Sequence, residues 1–286
     1  MYLEMIKFEH SIFALPFAMI GMMWGSVSVR HAAWPGWWIF AWIIVAMVSC
    51  RSAAMAFNRI ADRDIDAENP RTKMRAIPAG ILKLSHATLF FVASCAIFFV
   101  AAGMLNRLTL LLSPIALGVT LFYSTTKRFT PLSHFLLGLS LGIAPAAAWI
   151  GATGTLSWPI LAVTAAVLLW TAGFDIIYSL QDVEFDKNHK LRSLPETIGI
   201  PKALMVSRIC HSLAVLLLVF AGVMLNRGPA YFAGVLFAAA LLAYEQSLVK
   251  PHDLSKVNMA FFTLNGFVSI GLFVFAFCDV ILSSRA

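Results

Sequence analysis

Charge is scarce in this sequence. Asp, Glu, Lys and Arg together make up 12% of its 286 residues, against about 25% in a typical soluble domain. Hydrophobic residues supply 60%, and the mean hydropathy is +0.84. A soluble globular domain is therefore excluded, and an integral membrane protein is implied. Cysteine is also scarce. Cys50, Cys95, Cys210 and Cys278 lie in apolar segments and form no CxxC pair. That excludes a disulfide framework or a thiolate metal site and leaves small buried hydrophobes. No polar linker divides the chain, so one membrane domain over residues 1–286 is expected. The opening residues lack a basic n-region and a small-residue cleavage site, so the first apolar segment is expected to stay in the membrane.

What is present is long apolar runs. A spanning helix needs about 20 mostly apolar residues. Nine candidates fit: 11–30, 37–58, 86–105, 108–125, 132–151, 158–181, 204–225, 229–248 and 258–282. The chain is all-α and polytopic on this reading. Of the 21 Lys and Arg, fourteen fall in the loops after spans two, four, six and eight. Four fall on the other side, and Lys7, Arg51 and Arg208 complete the total. The positive-inside rule then puts the N-terminus and the even-numbered loops in the cytoplasm. The net charge of +7 is mostly topology, and no nucleic-acid partner is implied.

The acids need a separate account. Only 14 are present, and seven of them fall in two short windows. One holds Asp62, Asp64, Asp66 and Glu68; the other holds Asp182, Glu184 and Asp186. Both lie at the cytoplasmic ends of even-numbered spans. Asn58, Asp62 and Asp66 recur every four residues, which puts them on one helix face. Asp175, Asp182 and Asp186 follow a seven-then-four spacing, with Tyr178 near that side. Like charges four residues apart destabilise a helix unless a cation intervenes. A divalent metal removes the problem, and Mg²⁺ is commonly held by one or two carboxylates plus substrate phosphates. Asp64 points roughly 160° away from the metal face, which suits a loop or capping charge. Arg59 and Arg63 also fall off that face and are expected to serve topology, solvation and cap contacts. Arg51 and Asp175 lie within the spans, and an ionisable residue at that depth is read as functional.

The windows are followed by similar blocks. "RAIPAGILK" carries Arg75, Pro78, Gly80 and Lys83; "RSLPETIGIPK" carries Arg192, Pro195, Gly199 and Lys202. The windows begin 120 residues apart (182 − 62). A pseudo-repeat of blocks 58–83 and 175–202 is expected, with Arg75 and Arg192 reaching one anion from two sides. Arg suits multidentate phosphate binding. The implied ligand is a Mg²⁺-bridged polyanion above a hydrophobic bundle, and a polyprenyl diphosphate fits.

"NRIADRDIDAENPRTKMRAIPAG" resembles the first aspartate-rich motif of the UbiA superfamily of intramembrane prenyltransferases, and "DIIYSLQDVEFDKNHKLRS" resembles the second. "FYSTTKRFTPLSHFLLG" and "IKFEHSIFALPFA" look like its bacterial quinone-biosynthesis branch, especially 4-hydroxybenzoate polyprenyltransferases. The resemblance covers nearly the whole chain. It implies nine helices around a central cavity, capped on the cytoplasmic side by the loops after helices 2 and 6. It also implies a bacterial inner-membrane location and Mg²⁺ held by Asn58, Asp62, Asp66, Asp182 and Asp186. Arg75 and Lys127 would contact diphosphate, while Arg51, Tyr123 and Asp175 would line the cavity. The family often has Asp after the Asn, where this chain has Arg59.

The reaction implied is transfer of a polyprenyl group to an aromatic carbon of a small acid, most directly 4-hydroxybenzoate in ubiquinone-type biosynthesis. Arg192 would assist the diphosphate contacts, and Tyr123 or Tyr178 would stabilise an allylic cation. Arg51, with Lys7 or His10, would hold the acceptor carboxylate. A dihydroxynaphthoate acceptor in menaquinone biosynthesis is the alternative. A secondary transporter is the alternative of another class, although transporter sites lie near the bilayer midplane.

Overall fold

A computed structural model describes residues 11–283. Among the described residues there is no β-strand, only an isolated bridge between Lys250 and Asp253. Nine helices in this part of the chain are long and apolar enough to cross a membrane. They are α1 (Ser11–Arg30), α2 (Trp37–Ala61), α4 (Leu84–Leu105), α5 (Arg107–Thr126), α6 (Ser133–Thr153), α7 (Trp158–Ser179), α10 (Ile200–Met224), α11 (Pro229–Leu248) and α12 (Asn265–Ser283). Three short helices lie between them: α3 (Arg63–Glu68), α8 (Val183–Asn188) and α9 (Leu194–Ile198). All nine expected spans are found, with ends shifted by a few residues.

The spans form helices because helices satisfy every backbone polar group internally, which hydrocarbon demands. α4 is apolar on nearly all sides, as a lipid-facing segment is. α4 and α5 bury least of themselves, whereas α7 is the most enclosed. α6 and α7 pack face to face along small residues. A Cβ at Gly138 would stand 2.2 Å from the Leu168 carbonyl oxygen. A Cβ at Gly21 of α1 would stand 2.0 Å from the Pro145 oxygen of α6. Only glycine permits these approaches, and close backbone contact is what holds helices together where lipid removes the hydrophobic drive.

The two ends of the bundle differ. Trp34, Trp37, Trp38 and Trp158 are exposed at the end where α2 and α7 begin. Exposed Trp at that level suits a membrane–water interface. The opposite end, where α2 and α7 finish, carries the acid-rich windows.

α12 is preceded by a π-helical turn over Met259–Leu264. The Asn265 amide donates to the Ala260 and Phe261 carbonyls at 2.9 and 3.2 Å. Its oxygen accepts the Trp170 indole N–H at 2.7 Å. These bonds satisfy carbonyls that the widened turn leaves short of partners. The turn sets Phe261 flat against Tyr178 of α7, ring centres 4.1 Å apart.

Candidate active site

Both acid-rich windows break their helix at an aspartate. α2 ends at Ala61, and Asp62 takes φ −95°, ψ 7° before α3 begins. α7 ends at Ser179, a 3₁₀ turn covers Leu180–Asp182, and Asp182 takes φ −106°, ψ 5° before α8. Both aspartates therefore sit in the bridge region between helix and strand. The expected single continuous helix is replaced by a long helix, a hinge and a six-residue helix. The face survives the hinge, because Asp62 N still bonds Asn58 O at 2.9 Å and Asp66 N still bonds Asp62 O at 2.7 Å.

The hinged segments face one another across a cavity of about 880 Å³, counted out to its open mouth. Asn58, Asp62, Asp66, Asp182 and Asp186 all line it. So do Arg75, Lys127, Tyr123, Asp175 and Tyr178. Residues separated by up to 128 positions (186 − 58) are brought to one chamber.

Arginines neutralise most of these acids. Arg75 Nη1 lies 2.7 Å from both oxygens of Asp66. Arg128 Nη2 donates to the Ala61 carbonyl at 2.6 Å and to Asp62 at 3.3 Å. It thus caps the last turn of α2 while pairing the hinge aspartate. Asn58 donates to the other Asp62 oxygen at 2.8 Å. Arg71 crosses the cavity: Nε reaches Asp182 Oδ1 at 3.0 Å, Nη2 reaches Oδ2 at 2.5 Å, and Nη1 reaches the Tyr178 hydroxyl at 2.8 Å. A second tie across the gap joins His189 to Glu68 at 2.9 Å.

Burial pushes the Asp62 carboxyl above the ordinary carboxylate range, with the nearby Asp66 charge adding to the rise; the Arg128 hydrogen bond and charge oppose it. A buried carboxylate of this kind gains from an added cation. Asp186 Oδ2 is buried with no hydrogen-bond partner of normal geometry among the described residues. An orphaned carboxylate oxygen costs free energy until something cationic meets it. No three His, Cys, Asp or Glu side chains among the described residues gather tightly enough to cage a metal by themselves. This donor set fits Mg²⁺, which takes oxygen ligands and fills its octahedron with water and substrate phosphate.

Three expectations are corrected. Arg51 does not line the cavity. On α2 the lining stops at Asn58, and Arg51 lies two turns deeper on the same helix, its Nε buried with no hydrogen-bond partner among the described residues. Arg192 does not line it either. Its backbone N–H bonds the Lys127 carbonyl at 2.7 Å and its guanidinium turns to the Phe129 carbonyl at 3.2 Å. The similar layout of the two blocks hid a difference in reach: Arg75 follows Asp66 by nine residues, whereas Arg192 follows Asp186 by six. Arg59 is buried, not solvated, with Nη1 3.2 Å from Asn58 Oδ1 and 4.0 Å from Asp66. Arg63 and Asp64 do pair with each other at the surface, at 3.2 Å. Lys7 and His10 lie outside the described residues.

Sequence reasoning missed Arg71, Arg128 and His134. Each acts across a gap between helices, where no periodicity signals the partner. His134, at the start of α6, is completely buried. Its Nδ1 lies 2.6 Å from Asp175 Oδ2.

The family model for the UbiA prenyltransferase family matches residues 18–268. The chain belongs to that family. It is accordingly a multi-pass membrane prenyltransferase, and the transporter reading falls. A 4-hydroxybenzoate octaprenyltransferase of Vibrio atlanticus (strain LGP32) is 28% identical over 268 residues, covering 91% of this chain and 93% of the relative. The enzyme of the same name from Vibrio cholerae serotype O1 (strain M66-2) is 31% identical over 226 residues, 78% of each chain. Among solved structures, an apo UbiA homologue from Aeropyrum pernix K1 superposes with a TM-score of 0.81 at 32% identity, covering 96% of this chain and 98% of that one. A UbiA homologue from Archaeoglobus fulgidus, bound to DMAPP and Mg²⁺, gives a TM-score of 0.76 at 18% identity, with 98% and 99% covered. At that identity the second structure speaks for the fold.

Proposed function

We propose that this UbiA-family prenyltransferase moves a polyprenyl group from its diphosphate to a ring carbon of 4-hydroxybenzoate, as a step of ubiquinone-type biosynthesis. The observation that carries the reading is the facing pair of hinged aspartate segments, ringed by Arg71, Arg75, Lys127 and Arg128 at the mouth of an apolar bundle. A diphosphate needs that charge pattern, and a polyprenyl tail needs that bundle. The names of the Vibrio relatives support the acceptor.

Asn58, Asp62, Asp66, Asp182 and Asp186 would hold Mg²⁺. When bound, the metal supplies Lewis-acid charge against the leaving diphosphate oxygens. The rest falls to the chain. The Lys127 side chain lines the cavity and would meet the diphosphate. Arg75 lines the same cavity. Both would favour the departing charge more than the bound substrate, which is the condition for acceleration. Tyr178, backed by Phe261, would face the allylic carbon as positive charge develops there. Phe13, Phe174 and Trp170 form a packed aromatic wall behind Phe261. Such a wall excludes water and protects the cation from hydrolysis. Tyr123 also lines the cavity.

On this reading the chain acts as one domain, with blocks 58–83 and 175–202 as matching halves. The similar hinge at Asp62 and Asp182 supports that division. The N-terminus and the cavity mouth would face the cytoplasm of a bacterial inner membrane, as the Lys and Arg distribution favours. Purified protein supplied with a polyprenyl diphosphate, Mg²⁺ and 4-hydroxybenzoate is expected to yield the prenylated acid and diphosphate, and EDTA is expected to stop both. Product from 1,4-dihydroxy-2-naphthoate but none from 4-hydroxybenzoate would reassign the acceptor. No transfer to either would sink the reading.

A further inference from the structure

We propose that Asp175 is the catalytic residue that takes the ring proton, and that His134 is its positioning residue. This rests on the reaction proposed above. Asp175 lines the cavity from α7. It lies seven residues before Asp182, hence about 10 Å further along the helix axis toward the membrane interior. The charged head of the substrate belongs with the arginines and hinge aspartates near the mouth. The carbon that leaves the diphosphate, and the ring that attacks it, then lie on the deeper side, where Asp175 is.

Three of the other four cavity carboxylates are committed. Asp62, Asp66 and Asp182 each pair with an arginine, and Asp186 is on α8, past the hinge. Asp175 instead meets an imidazole. Leu194 N–H donates to His134 Nε2 at 3.2 Å. Nε2 therefore offers its lone pair, and the proton is assigned to Nδ1, which donates to Asp175 Oδ2 at 2.6 Å. That bond fixes one carboxylate oxygen against a ring that is itself completely buried. Asp175 Oδ1 makes no hydrogen bond to a described residue and belongs to the cavity wall. His134 is not the base, because it is sealed from the cavity and both its nitrogens are engaged.

The step balances. The bond from the prenyl carbon to the diphosphate oxygen breaks, and its electron pair leaves with the diphosphate. A π pair of the acceptor ring forms the new carbon–carbon bond. The hydrogen on that ring carbon passes as a proton to Asp175 Oδ1, and its bonding pair restores the aromatic ring. Asp175 then gives the proton to water at the open mouth.

The test compares wild type, Asp175→Asn and His134→Gln, each with Mg²⁺, polyprenyl diphosphate and either ordinary or ring-deuterated 4-hydroxybenzoate. Asp175→Asn keeps the size of the side chain and an oxygen for His134. Prenylated product should fall about 100-fold or more, the usual scale for removing a general base. Diphosphate release should fall less, so the ratio of diphosphate to product rises. In both variants a primary deuterium isotope effect should appear or grow, since proton loss becomes rate-limiting; a merely structural defect would not produce one. Protection of each variant against thermal unfolding by Mg²⁺ with diphosphate reports an intact fold. Wild-type turnover with full activity in folded Asp175→Asn overturns the base assignment alone. So does an equal loss of product and diphosphate without an isotope effect. A wild type that transfers nothing overturns the underlying reaction and this step with it.

Discussion

In the first acid-rich segment every cavity aspartate meets an arginine; in the second, Asp182 does and Asp186 does not. The backbones hinge alike, at Asp62 and Asp182. The neutralisation differs because the loops that follow take different paths. After α3 the chain turns back at once: Thr72 Oγ1 bonds the Asp66 carbonyl at 3.2 Å, and Arg71 and Arg75 both point inward. After α8 it runs outward to α9, and Arg192 is spent on the Phe129 carbonyl. The first loop therefore supplies cations to both segments. The second supplies a backbone donor, Leu194 N–H, to the histidine behind Asp175. On the proposed reading, one side of the chamber would handle the anion and the other would orient a carboxylate.

That division can be broken by experiment. The largest effect is expected from the hinge aspartates. Asp62→Ala or Asp182→Ala should each cut prenyl transfer about 1,000-fold or more, the scale for losing a group that stabilises transition-state charge. Both variants should stay folded by thermal unfolding. Full activity in either would remove that segment from the proposed metal site.

Next comes the contrast between arginines. Arg71→Ala should lower kcat/KM about 100-fold, because it removes a bidentate partner and leaves the buried Asp182 unpaired. Arg192→Ala should cost only a few-fold, since its guanidinium serves a backbone carbonyl outside the cavity. Equal losses in the two steady-state assays would erase the difference between the loops.

A smaller effect concerns pH. Asp62 takes up a proton at a higher pH than an ordinary carboxylate, and Arg128 opposes this. Acidification should therefore disable Asp62 early. Arg128→Ala should move the acid limb of the pH–rate profile to higher pH, because the lowering influence is gone. A shift to lower pH would contradict the pairing.

The smallest change belongs to Asp64, whose side chain is 83% exposed beside Arg63. Asp64→Ala should alter stability by no more than about 0.5 kcal/mol, as exposed surface substitutions do, and leave kcat within two-fold. A large loss would mean that this acid reaches the site.

Much of this molecule was legible before folding. Runs of about 20 apolar residues announce crossings, because hydrocarbon tolerates little else. The four-residue spacing of Asn58, Asp62 and Asp66 announces a shared face, because a helix turns every 3.6 residues. The seven-then-four spacing of Asp175, Asp182 and Asp186 does the same on α7 and α8. All of these residues line the cavity. Helical period persists through the hinges, so the register did not depend on foreseeing them.

Periodicity speaks only within one helix. It cannot say how deep a cavity runs, so Arg51 shares the Asn58 side of α2 yet lies below the lining residues. Nor can it follow an irregular loop, so the similar positions of Arg75 and Arg192 end in opposite directions. His134 stands alone in an apolar span start and carries no pattern at all. Composition and spacing determined the nine crossings, the end of the bundle that bears the acids, and which acids face inward. Tertiary packing alone decided which cation meets which acid, because those contacts join helices and loops whose relative rotation and path no local repeat encodes.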